Sequence, residues 1–219
     1  MEQKYTQFAI CAQGVAKPAA PPYIAEISLL QKFLHKQAEI VRKLTHEELL
    51  ARSVPPGEAL TRPRAPLAGL LDNIRSLYNV GSMFRTSDGA FVRRLYLCGY
   101  TPAPPRGEID KTALGATATV PWLHFPDPLA ALAHARADGM TICVLEHTTR
   151  SVPVYDVPRD AFPLCLVVGN ELTGVSPGVI GAADLAVEIP MHGVKQSLNA
   201  SVAYGVALFE LMRILRGVT

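Results

Sequence analysis

The sequence predicts an α/β domain with a mainly parallel sheet flanked by helices, preceded by a short helical N-terminal extension. Three observations support this fold class. The 219 residues are 49% hydrophobic, which is enough to bury one sizeable core. From residue 66 onward, short apolar runs alternate with segments of helical periodicity, a pattern typical of parallel sheets. No apolar run approaches the ~18 residues that a membrane-spanning helix needs.

The first 65 residues differ from the rest of the chain in pattern and charge. Residues 1–23 are aperiodic, whereas apolar residues recur at helical spacing over 24–52 until a Pro-Pro-Gly run at 55–57. Nine basic and six acidic residues lie in 1–65, against twelve and thirteen in 66–219, so the extension is mildly basic. The acidic start, with no apolar run after it, predicts no signal peptide. We therefore predict a helical arm and linker over 1–65 and one domain over 66–219.

The domain is predicted from apolar runs and helical periodicity. Strands are expected at residues 66–71, 95–99, 141–145, 164–168 and 185–189. Helices are expected at residues 79–91, 127–137, 177–182 and 197–215. Ligands of open α/β sheets bind at the carboxyl ends of strands. Polar and glycine residues that follow the strands are therefore the candidates for a functional site.

The cysteines and histidines predict a chain without a metal site. The four cysteines form no C-x-x-C pair and the histidines have no ligand spacing, so neither a metal nor a disulfide framework is expected. Cys98, Cys143 and Cys165 lie in apolar runs and are predicted to be core residues. Unpaired cysteines fit a reducing compartment, and the predicted location is the cytoplasm.

The first polar cluster follows the strand at 66–71 and contains Asn79, Gly81 and Arg85. Asn79 is predicted to cap the following helix. Gly81 allows a ligand or another backbone to approach closely, and Arg85 lies within two turns of Asn79. The alternative is that Asn79 is only a cap and that the arginines of this region form a solvated face.

The second cluster is Gly169-Asn170-Glu171, followed by Gly174. The two glycines have the spacing of a phosphate-binding P-loop, but Val175 stands where that motif requires lysine, which excludes a P-loop NTPase. No G-x-G-x-x-G occurs, so a dinucleotide-binding fingerprint is also absent. The alternative for Glu171 is an exposed loop carboxylate.

The third cluster runs from Ile189 and Met191 to Ser197 and Asn199. Ser197 is predicted to cap the final helix, with Asn199 in its first turn; the alternative is a capped helix with an incidental amide. Small residues over 200–207 imply that this helix packs closely against another backbone, which favours a homodimer.

In this order, the three clusters resemble the motifs of the TrmH/SpoU family of RNA ribose 2′-O-methyltransferases, in the SPOUT superfamily. The resemblance covers roughly residues 66–215. It implies a domain with a C-terminal trefoil knot, S-adenosylmethionine as methyl donor, and an RNA substrate, either tRNA or rRNA. It also implies a homodimer with its active site near the subunit interface, and no metal.

The resemblance also assigns residues to roles. The implied catalytic residues are Asn79, Arg85, Glu171, Ser197 and Asn199. The implied cofactor-binding residues are Gly169, Ile189, Leu198, Met191 and Glu146.

Some of these roles remain open. The close backbone approach at Gly169 is expected to leave space for the adenosyl group. Arg85 is expected either to organise the substrate phosphate and hydroxyl or to act as the base. Because a guanidinium has a very high pKa and keeps its proton, the organising role is favoured. Glu171 is expected either to fix Arg85 or to brace the cofactor loop.

Two other functions remain open from the sequence. One is an RNA-binding module on the same fold without catalytic activity, and the presence of the whole catalytic set argues against it. The other is a base-methylating SPOUT enzyme, and the segment from Asn79 to Arg85 argues against that. The sequence does not choose between tRNA and rRNA.

Overall fold

The computed structural model describes residues 41–55, 57–59 and 61–217, and the chain divides into two units between Ser53 and Val54. The described part of the first unit holds one short helix, α1 (His46–Leu50). The side chain of Thr45 accepts from the Glu48 N–H, and the Glu48 carboxylate accepts from the Thr45 N–H. This capping box begins α1 at residue 46.

Of the helix predicted over 24–52, the structure confirms residues 46–50 and contradicts residues 41–45. Residues 41–45 have no regular structure and precede the cap, and residues 24–40 lie outside the described residues. The predicted boundary between an extension over 1–65 and a domain over 66–219 stays a prediction.

The second unit alternates strands and helices. Its strands are β1 (Ala65–Asp72), β2 (Val92–Cys98), β3 (Trp122–Phe125), β4 (Thr141–Leu145), β5 (Val152–Pro153), β6 (Leu164–Val168) and β7 (Leu185–Glu188). Its helices are α2 (Leu77–Ala90), α3 (Gly107–Ala113), α4 (Ala116–Thr119), α5 (Pro128–Ala137), α6 (Pro177–Gly181) and α7 (Ala200–Arg216). Two short 3₁₀ turns, Val154–Asp156 and Arg159–Ala161, precede β6.

The seven strands form one sheet in the order β3-β2-β1-β6-β4-β7-β5, and each neighbouring pair is parallel. Alternate residues of β1 face opposite sides. Leu67 and Leu71 belong to the core under α2, α3 and α7, whereas Ala68 and Leu70 belong to the core under α5 and α6. A parallel sheet with both faces covered confirms the predicted fold class.

The sequence prediction missed helices α3 and α4 and strands β3 and β5. Strand β3 lies at one edge of the sheet and is only partly buried. Strand β5 has two residues. Short or half-exposed elements leave too few buried positions for a hydrophobic period to appear.

The helices that carry predicted site residues begin at other caps than predicted. Ser76 caps α2, because its hydroxyl oxygen accepts from the Asn79 N–H at 3.3 Å, so Asn79 lies in the first turn. Asn199 caps α7, because its Oδ1 accepts from the Ser201 N–H at 2.9 Å. The predicted cap Ser197 precedes the helix.

Helices α2 and α7 meet at a buried pair of hydroxyls. The Oγ of Ser87 lies 2.7 Å from the Oη of Tyr204, and both side chains are fully buried. Burial raises the pKa of Tyr204 above its ordinary value. The phenol therefore stays protonated and fixes the two helices relative to each other.

The three cysteines of the domain lie inside the sheet, which confirms that they are core residues. Cys98, Cys143 and Cys165 are fully buried and unpaired. Burial raises the pKa of Cys143 to about 12 and holds the pKa values of the other two even higher.

Among the helices of the described chain, none is long and apolar enough to cross a membrane.

Gly81 permits the close packing of α2 against α3. A Cβ at residue 81 would overlap the carbonyl oxygen of Ile109 and the hydroxyl of Thr112. The neighbour at Gly81 is therefore protein backbone, one of the two possibilities that the sequence leaves open.

We expect Gly81→Ala to lower the free energy of unfolding by about 1–3 kcal/mol, because the added methyl group overpacks this contact. Urea unfolding measures the loss. Gly107→Ala is the control, because a Cβ at residue 107 meets nothing within 4 Å. Equal stability of the two variants would contradict this account of the α2–α3 contact.

Candidate active site

A cavity of about 460 Å³ opens at the carboxyl ends of β4, β6 and β7. This is the edge of a parallel sheet where ligands are expected. Eight of the ten predicted site residues line it: Glu146, Gly169, Glu171, Ile189, Met191, Ser197, Leu198 and Asn199. The structure therefore gathers the second and third sequence clusters around one space.

Glu171 joins the loop after β6 to the start of α2. Its Oε2 accepts from the Arg75 N–H at 2.9 Å, and its Oε1 accepts from the Ser76 N–H at 3.0 Å. Oε1 also accepts from the side-chain amide of Asn79 at 2.8 Å. The carboxylate thus meets free N–H groups at a helix N-terminus, where the helix dipole favours negative charge.

These contacts decide the charge of Glu171. Partial burial raises its pKa, but the hydrogen bonds from Arg75, Asn79 and Ser76 outweigh burial and hold the pKa below its ordinary value. Glu171 is therefore ionised at neutral pH. Its partners lie just before α2 and on its first turn and do not include the Arg85 guanidinium, so Glu171 connects the loop after β6 to the start of α2.

Asn79 and Asn199 extend this connection to the final helix. The Oδ1 of Asn79 accepts from the Nδ2 of Asn199 at 3.2 Å, while Asn199 caps α7. Glu171, Asn79 and Asn199 thus form one hydrogen-bonded chain. Each residue comes from a different sequence cluster, so this chain holds the three clusters together.

Ser197 and Arg85 do not join that chain. Ser197 is exposed at the cavity, and Arg85 is exposed on α2 outside the cavity lining. Within the described chain, neither side chain has a hydrogen bond or ion pair. Both remain available to a ligand.

Gly169 is required by the protein's own backbone. A Cβ there would overlap the carbonyl group of Gly174 and the nitrogen of Val175. Asn170 and Gly174 form an antiparallel bridge with hydrogen bonds of 2.9 and 3.0 Å, which folds the loop back over residue 169. The packing of the loop therefore requires glycine here without any ligand, and the space for an adenosyl group stays a prediction.

Glu146 holds the same loop from the side of β4. Its Oε2 accepts from the Val175 N–H and its Oε1 from the His147 N–H, both at 2.9 Å. A Cβ on Gly174 would overlap Oε2, and φ there is +69°, a backbone conformation that favours glycine. Glu146 thus fixes the loop that forms one wall of the cavity.

The sequence analysis missed Asn170, although it lies inside the quoted motif. Its Nδ2 donates to the carbonyl of Asn73 at 2.8 Å and to the hydroxyl of Tyr100 at 2.7 Å. Its Oδ1 accepts from the N–H groups of Leu172 and Thr173. A buried amide with all these partners shapes the loop, and its place between Gly169 and Glu171 was the available signal.

Asp72 is a second residue that the sequence analysis passed over. It ends β1 and is almost fully buried. Its carboxylate accepts from the Asn73 side chain and from the Ser176 N–H, both at 2.8 Å. It therefore ties the end of β1 to the loop after β6.

Among the described residues, no group of three or more His, Cys, Asp or Glu is placed to hold a metal.

We expect Glu171→Gln to lower the free energy of unfolding by about 1–3 kcal/mol at neutral pH, because N–H groups at the start of α2 lose their carboxylate acceptor. Because folding lowers the pKa of Glu171, its stabilisation is present above the ordinary carboxyl pKa of about 4.3 and is lost as the pH falls through the lowered value.

The difference in melting temperature between wild type and Glu171→Gln should therefore shrink in acid. Thermal unfolding from pH 7 to pH 3 measures it, with the exposed Glu108→Gln as control. A difference that is the same at both ends of this range would contradict the assignment of charge.

Comparisons with known proteins identify the family. The model of the SpoU rRNA Methylase family matches residues 66–209. The tRNA (guanosine(18)-2′-O)-methyltransferase of Aquifex aeolicus is 33% identical over 157 residues, 71% of this chain and 73% of that protein. The 23S rRNA (guanosine-2′-O-)-methyltransferase RlmB of Vibrio vulnificus is 28% identical over 178 residues, 77% of this chain and 70% of that protein.

Solved structures agree with the sequence comparisons. The A. aeolicus TrmH/SpoU tRNA modifying enzyme has a TM-score of 0.65 at 31% identity, covering 78% of this chain and 85% of that one. The SpoU methyltransferase AviRb of Streptomyces viridochromogenes, solved with its cofactor AdoMet, has a TM-score of 0.62 at 26% identity, covering 70% of this chain and 59% of that one. The chain therefore belongs to the SpoU rRNA Methylase family.

Proposed function

We propose that this protein transfers a methyl group from S-adenosylmethionine to a ribose 2′-hydroxyl in tRNA or rRNA. The observation that carries the proposal is the hydrogen-bonded chain of Glu171, Asn79 and Asn199. It holds three clusters, far apart in sequence, around one cavity. The relatives described above, methyltransferases of tRNA and of 23S rRNA, support the reaction and leave the RNA open between these two classes.

The cavity suits S-adenosylmethionine in size and charge. Its volume of about 460 Å³ lies within the range of small-molecule sites. Ile189, Met191 and Leu198 offer apolar walls, while the charged side chains of the lining include three glutamates and no lysine or arginine. A negative lining favours a ligand with a cationic sulfonium. When bound, the cofactor supplies an electrophilic methyl group.

The chain's own residues would position the ribose for in-line attack. Such positioning contributes a large part of catalysis in a group transfer. The free hydroxyl of Ser197 and the amides of Asn79 and Asn199 lie on or beside the cavity, where they can orient the ribose or the cofactor. Glu171 keeps the two amides in place through the start of α2. The loops at 169–176 and 189–199 would belong to the trefoil knot that the family resemblance implies.

Arg85 is proposed to bind the substrate's phosphate. It is exposed, and within the described chain it has no ion-pair partner, so its planar fork is free to bind phosphate with two hydrogen bonds. A guanidinium retains its proton in proteins, which makes it a poor base. The hydroxyl proton would therefore leave late in the attack, shared with the phosphate that Arg85 holds.

We expect Arg85→Ala to leave S-adenosylmethionine affinity nearly unchanged and to slow methyl transfer by about 2–4 kcal/mol of activation free energy, by analogy with the loss of one oxyanion donor. Arg85→Lys should rescue poorly, because an ammonium lacks the planar fork. Single-turnover rates and cofactor dissociation constants measure both effects, with the exposed Arg62→Ala as control. Loss of cofactor binding with an unchanged saturating rate would assign Arg85 to the cofactor site.

The identity of the RNA is tested in cells. We expect a strain that lacks this protein to lose a single 2′-O-methylated nucleoside from tRNA or rRNA, measured by mass spectrometry of each RNA fraction. Loss of a base-methylated nucleoside would support the sister enzyme class. Unchanged methylation together with RNA binding would support a non-catalytic module.

The proposed location is the cytoplasm, which the unpaired cysteines of the domain support.

We also propose a homodimer, but for a different reason from the one found in the sequence. Two of the small residues of α7 pack within the chain: Ala207 is in the core, and Gly205 faces Thr86 of α2. The exposed face of α7 is instead apolar over residues 202–209, with Val206 45% and Phe209 53% exposed. Two copies that pair through this face would bury it.

We expect Val206→Arg to weaken dimerisation at least about tenfold, because it places a charge in a buried apolar contact. Sedimentation velocity over a concentration series measures the dissociation constant. Leu114→Arg is the control, since this leucine is more exposed and lies on another part of the domain. A wild-type chain that is monomeric at micromolar concentration would contradict the dimer.

A further inference from the structure

The segment 190–198, between β7 and α7, forms one wall of the cavity with very few hydrogen bonds. It contributes Met191, Ser197 and Leu198 to the lining and has no regular secondary structure. Among the described residues, it makes a single hydrogen bond: the carbonyl oxygen of Gln196 lies 3.0 Å from the Nε2 of His147. Because a carbonyl only accepts, Nε2 is the donor.

His147 is itself held from its other side. It follows β4, and its Nδ1 lies 3.3 Å from the Oε2 of Glu188, the last residue of β7. Because Nε2 is a donor, Nδ1 donates to this carboxylate only when the ring carries a proton on both nitrogens. Its backbone N–H donates to the Glu146 carboxylate, which also holds the loop after β6. The ring therefore lies between a carboxylate on the sheet and the backbone of the segment 190–198.

We infer that His147 is a positioning residue for the cofactor, because it fastens the segment 190–198 across the cavity while Glu188 orients its ring. This inference rests on the proposed function, since it names the fastened wall as a cofactor wall. Without the bond to Gln196, cofactor binding would have to order the segment, and the lost conformational entropy would weaken affinity.

A role of His147 as a general base is less consistent with this geometry. Both ring nitrogens already face protein acceptors, Glu188 on one side and Gln196 on the other. Neither nitrogen points free into the cavity. The loss of His147 should therefore change cofactor affinity and KM for the cofactor, with little change in kcat at saturation.

The first experiment measures the segment itself and needs neither cofactor nor RNA. Lys195 is exposed and directly precedes Gln196, so endoproteinase Lys-C reports opening at this bond. In the full cofactor-free chain, His147→Ala should raise the cleavage rate after Lys195 roughly tenfold, as expected for the loss of about one hydrogen bond. His147→Gln, whose amide can still donate to the Gln196 carbonyl, should restore part of the protection.

The second experiment measures cofactor binding by calorimetry on the same variants. We expect His147→Ala to raise the dissociation constant of S-adenosylmethionine roughly tenfold, with Glu188→Gln showing a smaller increase in the same direction. His124→Ala is the matched control. His124 is also exposed and has its Nε2 near a backbone carbonyl, that of Gly99, but it lies on β3.

The outcomes separate this inference from the proposed function. Unchanged cleavage after Lys195 in His147→Ala overturns the fastening. Faster cleavage with an unchanged dissociation constant, or a lower saturating kcat as the main effect, overturns the role toward the cofactor. A wild-type chain that does not bind S-adenosylmethionine overturns the proposed function, while the cleavage result still decides whether His147 fastens the segment.

Discussion

The carboxylate of Glu171 at the N-terminus of α2 is the interaction on which the site depends. It accepts two backbone hydrogen bonds that the helix cannot satisfy internally, and a third from the Asn79 side chain. Through Asn79, the same contact reaches the cap of α7. One ionised group thus sets the positions of a loop after β6 and of two helices that start far apart in the sequence. The hydrogen bonds of this arrangement are also the reason why the pKa of Glu171 is lowered.

The two walls of the cavity are built by different means. The loop after β6 folds back on itself at Gly169, with backbone in contact with backbone and with Glu146, Asn170 and Asp72 each bound to main-chain groups. The segment 190–198 has a single hydrogen bond to the rest of the described chain. A ligand that enters between the two walls meets a loop that is already fixed and a segment that can adapt. Most of the loss of conformational freedom upon binding therefore occurs in the segment 190–198.

The sequence was most informative where burial is complete. The bounds of β4 and β6 follow directly from unbroken apolar runs and match the structure, whereas β3, half-exposed at an edge, leaves no such run. Eight of the residues predicted from the motifs also line one cavity. Local rules could not choose between Ser76 and Asn79 as a cap, since serine and asparagine are nearly equal there. Ser76 takes the cap, and the Asn79 side chain inside the helix binds Glu171 instead. A contact between residues so far apart has no local signature.

The buried cysteines of the domain can report when the sheet opens, which no residue of the cavity lining can do. Within the described chain, each cysteine lies in a strand, on β2, β4 or β6, and none lies on a loop that lines the cavity. A thiol reagent therefore reaches them only when the sheet itself opens, whatever the loops do. Labelling of Cys98, Cys143 and Cys165 and cleavage after Lys195 consequently follow two different motions of the same chain, unfolding of the sheet and opening of the cavity wall.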